Sequence, residues 1–426
     1  MVYWRSAGIR NDKRRFLSAA PKDQIRSTIQ KITLCKNNID RGDNIMGKSS
    51  VNRKKQNNRR LQSSGKSQNN NITYISIMNV LAAVSVVILH ANVSFWQDKS
   101  KPYWPTANVI ESVFYFAVPV FFMLSGATLI DYQERYSTKE FFKKRFKKTM
   151  IPFLVWSVIG MVWASRKVLQ AMLEGKPNQG LGWTFLSVTN GIVNTKFRDV
   201  YWFFIPLFCI YLVMPLFAAV CKEKRVKVFT YIIGVALVIN FVIPFVLSML
   251  KHYANIDFGW TYKIYVGFEY LYYVLVGYVI HKREIKPVFR LLIYVAAVAG
   301  LLAQILGTYY ATKADPRGYI STLYKGYYNL PCVLYSTGIF LLVKQIGMKL
   351  KNRRAVKAFA YLQGYTFPIY LIHRYFLDVF EENLKLVNME RASLHYVILA
   401  TILALALSIL TTAILRKIPV LRHIVP

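Results

Sequence analysis

Acidic side chains are scarce in this chain. It has 20 Asp and Glu against 56 Lys and Arg over 426 residues, and charged residues make up only 18%. A water-soluble globule of this length needs far more charge to cover its surface, so composition argues against one. Cysteine is also sparse. Cys35, Cys209, Cys221 and Cys332 are scattered, with no disulfide framework and no metal-ligand spacing. They read as small buried hydrophobes, and no metal is expected. No apolar stretch follows the first basic residues, so a secretory signal pattern is missing. Nor is there an internal repeat of the kind many transporters carry.

What the chain does have is apolar surface: 54% of residues are hydrophobic and the mean hydropathy is +0.28. The formal charge of +36 would suit nucleic acid, an anionic membrane face or an anionic ligand. Its basic residues alternate with long apolar runs, which favours the membrane and leaves no nucleic-acid partner expected. Residues 1–71 differ from the rest, being rich in Lys, Arg, Gln, Asn and Ser. They hold too little apolar surface to offset the entropy of ordering, and are read as a disordered basic tail near the anionic inner leaflet. The expected fold of 72–426 is an all-α, polytopic membrane helix bundle in the cell membrane.

A helix needs about 20 mostly apolar residues to cross a bilayer. Ten such stretches can be read: Thr73–Phe95, Asn108–Ile130, Met150–Leu169, Val200–Val220, Val226–Leu250, Tyr262–Ile280, Val288–Tyr310, Tyr327–Ile346, Phe359–Phe380 and Leu394–Leu415. Alternate loops are basic, as in Lys143-Lys144-Arg145, Lys222-Glu223-Lys224-Arg225, Lys282-Arg283 and Arg353-Arg354. Lys and Arg are retained on the cytoplasmic side, so both termini are expected there. Tyr and Trp at span ends, such as Tyr103, Trp104, Tyr327 and Tyr328, fit an interfacial belt.

Strongly polar groups inside a span need a reason. His90 sits near the outer end of the first span, eleven residues after Asn79 and fourteen after Ser76. Eleven residues are about three turns, so Asn79 and His90 share a face, with Ser76 about 40° away. The result is a polar stripe ~20 Å long, suited to a bundle interior or a wet cavity. A histidine reaching for the outer interface is the competing reading. Glu111 opens the second span at a similar depth, either as an interfacial carboxylate or as the group that orients His90. Arg145 and Lys148 share a helical face at the inner mouth and suit either the phosphates of a nucleotide-like ligand or lipid headgroups. His373, in the ninth span, falls outward of the midplane, where it faces the same cavity as His90 or serves structurally.

The segments VSVVILHAN (84–92), VPVFFMLSGATL (118–129), FFKKRFKKTMIPF (141–153), YWFFIPLFCIYLVMP (201–215), LVGYVIH (275–281) and FPIYLIH (367–373) occur in this order. In them the chain resembles the acyltransferase-3 family of integral membrane acyltransferases over about residues 72–418, most nearly its surface-polysaccharide O-acyltransferase branch. Two departures stand out. Ser76 and Asn79 occupy positions where many members have Asp and Arg, and the family's RxxR is Arg145-x-x-Lys148 here. The resemblance implies an acyl-CoA co-substrate, acetyl-CoA by preference, with no tightly bound cofactor. It implies a glycan or glycolipid acceptor, with membrane lipids as surroundings. His90 would be the general base and Glu111 its orienting partner. Arg145 and Lys148 would bind the CoA phosphates, Asn79 and Ser76 would line the donor route, and His373 would contact substrate. A polysaccharide or lipid-linked sugar transporter is the competing functional class.

Overall fold

The computed structural model describes residues 73–97, 99–176, 180–315, 318–384 and 390–426; the expected tail of residues 1–71 lies outside them. The described residues contain helices and no strands. In chain order the main helices are α1 (Thr73–Ala91), α2 (Trp104–Phe114), α3 (Ala117–Leu129), α4 (Thr138–Arg145), α5 (Ile151–Ala164), α6 (Phe204–Ala219), α7 (Lys222–Ala236) and α8 (Ile243–Ala254). They continue with α9 (Tyr270–Lys282), α10 (Pro287–Leu302), α11 (Leu330–Lys349), α12 (Arg353–Glu382) and α13 (Leu394–Lys417). Several of these run on through short 3-10 or π turns, and among the described residues eight continuous helices are long and apolar enough to cross a membrane.

Two of the ten expected spans take another form. Apart from a 3-10 turn at Tyr265–Gly267, the stretch Tyr262–Ile280 is helical only in α9, whose 13 residues reach about 20 Å, short of a ~30 Å hydrocarbon core. Before it, α8 stops at Asn255 in the left-handed conformation (φ 55°), and residues 256–264 form no helix. Side chains tie this stretch to the neighbouring helix: Asn240 Nδ2 donates to the carbonyls of Ile264 and Gly267, Asn240 Oδ1 accepts from Ile264 N–H, and Trp260 Nε1 donates to Ile239 O. Protein contacts of this kind make irregular backbone tolerable near a membrane. The stretch Phe359–Phe380 lies within α12, a 30-residue helix. Its many polar groups face other helices, so it reads as less apolar than its neighbours.

The centre of the bundle is set by α9 lying directly against α3. A Cβ on Gly126 would stand 1.9 Å from Val274 O, and one on Gly277 would stand 2.0 Å from Met123 O. Two glycines on facing helices therefore let the backbones touch, the small-residue packing that membrane helices use in place of a hydrophobic driving force. Almost all of α9 is buried as a result.

The loops segregate to two ends as their alternation of charge predicts. At one end, Asp131 accepts from Arg225 (2.5 Å), Lys282 (2.6 Å) and Tyr278 (3.0 Å), tying together three of the basic connections. At the other end, Lys99 donates to Thr312 O and Asp315 O, and Lys325 donates to Asn108 Oδ1. α1 runs between the two ends.

Candidate active site

α12 carries Pro368 in its interior. Proline has no N–H to give the carbonyl four residues back, and its ring kinks the helix. The freed carbonyl of Gly364 accepts instead from Arg416 Nη2 at 2.6 Å. Beyond the kink, the end of α12 is fixed by ion pairs. Asp378 accepts from Arg198 (2.6 Å), Arg374 (3.2 Å) and Trp163 Nε1 (3.0 Å), while Glu381 pairs with Arg374 and Arg391. His373 is fully buried between kink and clamp.

His373 meets His90 of α1. His90 Nδ1 and His373 Nε2 are 2.8 Å apart, with ring centroids 5.0 Å apart and planes only 17° from parallel. The rings thus lie side by side, joined through their edges. The second nitrogen of His373, Nδ1, is 2.8 Å from the carbonyl of Ile369. A carbonyl only accepts, so Nδ1 carries the proton and neutral His373 offers the lone pair of Nε2. His90 must then donate from its own Nδ1. That leaves the lone pair on His90 Nε2, which has no hydrogen-bond partner among the described residues. The proton direction runs from His90 to His373 to Ile369 O and leaves a base nitrogen on His90, a half-buried residue.

Glu111 does not orient His90. Its carboxylate accepts from Trp96 Nε1 (3.0 Å) and Asn92 Nδ2 (3.3 Å), and its opposite charge is Lys325. Asn92 also donates to Ala107 O and accepts from Tyr103 OH. The carboxylate is buried and drawn to these donors, which lie on the turn that follows α1. It therefore holds the segment two residues past His90, not the imidazole. Lys325 also donates to Ser112 Oγ at 2.9 Å. Burial pushes its ammonium well below the ordinary lysine range, with Glu111 opposing that shift.

A cavity of about 550 Å³ opens on the other side of the histidines. Arg145 and Lys148 line it together, as their spacing predicts, although a π turn over Phe146–Met150 widens the helix between them. Arg145 Nε is buried there without a partner. Arg135 adds a third cation to the lining. Asn79 lines the cavity, while its amide donates back to Ile75 O. Ser76 does not line it. Ser76 is buried and donates to Gln363 Oε1 at 2.6 Å, and Gln363 is the group that faces the cavity.

The stripe from Asn79 to His90 is not a continuous polar path. Val86 and Leu89 pack with Phe114, Phe121 and Tyr370 between them. The cavity stops at Tyr370, whose ring centre is 6.1 Å from that of His373 and whose hydroxyl bonds to Val200 O. Sequence reading missed Arg135, Gln363 and Tyr370. Arg135 stood in a loop already full of cations, and Tyr370 was one aromatic residue within an apolar span.

A family model described as an acyltransferase domain matches residues 72–413. No curated protein and no solved structure matches the chain.

Proposed function

The chain belongs to the acyltransferase-3 family of membrane acyltransferases, and from that premise we propose that it is an O-acyltransferase that moves an acyl group from acyl-CoA, acetyl-CoA by preference, to a hydroxyl of a cell-surface or lipid-linked glycan. The reading is carried by the ordered His90–His373 pair, which leaves a basic nitrogen on His90. In this scheme the CoA phosphates sit against Arg145, Lys148 and Arg135, where charge-assisted contacts are strong. The basic loops on this face support its lying on the cytoplasmic side, with the bundle in the cell membrane. The pantetheine arm follows the cavity past Asn79 and Gln363 toward Tyr370, which must shift to let the thioester reach the imidazoles.

The reaction is a base-assisted substitution at the thioester carbon. His90 Nε2 takes the proton from the acceptor hydroxyl as its oxygen attacks. The tetrahedral oxyanion collapses, the C–S bond breaks, and the imidazolium returns its proton to the departing thiolate. The products are the ester and free CoA thiol. While His90 is cationic, His373 Nε2 accepts a charge-assisted hydrogen bond from its Nδ1. His373 is thus a positioning residue, filling the place a carboxylate takes in other triads.

Membrane vesicles holding the wild-type chain should release CoA thiol when given acetyl-CoA and envelope glycan. His90→Ala should insert normally and release thiol about 10²–10⁴-fold more slowly. Near-normal release by that variant would remove the mechanism, and glycan uptake without thiol release would make the chain a transporter.

A further inference from the structure

A second cleft, of about 370 Å³, lies at the histidine end of the bundle, within the ~300–1,000 Å³ range of small-ligand sites. It is walled in part by aromatic residues that stay largely exposed. Phe258 is 61% exposed, Tyr262 70% and Tyr328 42%, and Trp260 stands 5.1 Å from Tyr262. Its rim carries both charges: Lys251 pairs with Asp257 at 2.6 Å, and Lys263 lies 5.0 Å over Phe268.

An interfacial belt would account for rings at this depth, but a belt does not require its loop to be built. This loop is pinned by Asn240 and by the Trp260 indole. The next turn forces a residue other than glycine, Glu269, to a φ of 50°. Strain of that kind persists only where the surroundings hold it, and it gathers at ligand sites.

From the cleft a run of rings leads to the proposed catalytic pair. Tyr328 lies 5.1 Å from Tyr270, Tyr270 6.1 Å from Trp202, Trp202 6.3 Å from Phe203, Phe203 5.6 Å from Tyr370, and Tyr370 6.1 Å from His373. We propose that the cleft is a saccharide subsite, and that it holds sugar units of the acceptor chain beyond the one being acylated. A pyranose has an apolar face that stacks on an aromatic ring and an equatorial edge of hydroxyls that both donate and accept. Exposed aromatic residues beside a paired lysine and aspartate offer both complements. The Lys251–Asp257 pair cancels and Lys263 leaves one positive charge on the rim, so a neutral or mildly anionic sugar chain is the class it fits. The assignment of that chain as acceptor rests on the O-acyltransferase reading.

The test uses the full chain in nanodiscs and a ladder of oligosaccharides released by mild acid from the host's envelope polysaccharide. Saturation-transfer NMR should show binding to the longer members, with Kd raised about tenfold in Tyr262→Ala and in Phe258→Ala, as loss of one ring contact implies. Trp260→Phe should bind more tightly than Trp260→Ala, and acceptor KM should rise in parallel with Kd. His90→Ala should still bind the ladder. Wild-type Kd and acceptor KM in the Tyr262 and Phe258 variants would make the rings membrane anchors and overturn the subsite, while the His90 reading stood. Wild-type transfer by His90→Ala would instead remove the reaction, and the binding ladder would still decide the cleft.

Discussion

Replacing His373 with Ala removes the acceptor that fixes the His90 ring. In the wild-type protein the 2.8 Å contact from His90 Nδ1 holds that ring in the tautomer with Nε2 bare. It also becomes a charge-assisted bond once His90 is protonated. A hydrogen bond to a charged group is worth about 1.5–3 kcal/mol, and about 1.4 kcal/mol is tenfold in rate. The expected loss in kcat is therefore about ten- to 150-fold. His90→Ala removes the base itself and should cost about 10²–10⁴-fold. Groups that act as a unit are not additive, so the double variant should be no slower than His90→Ala. His373→Gln, whose side-chain carbonyl can accept, should recover part of the rate. The assay is thiol release from acetyl-CoA in proteoliposomes, with thermal unfolding of each variant measured in parallel. Full turnover by a stably folded His373→Ala, or losses that multiply in the double variant, would refute the paired-imidazole reasoning.

Arg145→Ala and Lys148→Ala should each raise the KM for acyl-CoA by about tenfold, and added salt should weaken donor binding to the wild-type chain, because these contacts are electrostatic; a salt-independent KM in titrations would reassign the pair. Gly126→Ala sets a methyl group against Val274 backbone and should cost about 1–3 kcal/mol or more in stability, read as a lower melting temperature in detergent. Gly234→Ala, with nothing within 4 Å, should leave melting unchanged. Lys325→Met strands the buried Glu111 carboxylate and should destabilise by about 3–5 kcal/mol, with Glu111→Gln as a second change restoring melting if the pairing argument holds.

The histidine pair shows how far sequence reasoning reaches. A lone imidazole near the end of an apolar span marks itself, because a polar group in hydrocarbon is costly, and both His90 and His373 stood out for that reason. What the sequence could not supply was their partnership. They lie 283 residues apart, and nothing in either segment points to the other. Glu111 seemed the natural orienting group because it shares a depth with His90, but depth is only one coordinate. The rotation of α2 and the position of Lys325 turn the carboxylate toward Trp96 and Asn92. Ser76 failed as a cavity residue for a similar reason: an angle about one helix axis does not say where the neighbouring helix puts Gln363.

Hydropathy, the count of cations in alternate loops and the apolar periodicity are local sums along the chain, and they sufficed to specify an all-helical membrane protein whose loops sort to two ends. The short α9, the meeting of His373 with His90, and the cavity that stops at Tyr370 depend on which helix faces which. Those choices are made by close contacts between distant segments, such as Gly126 against Val274, whose energies appear only once the helices are packed.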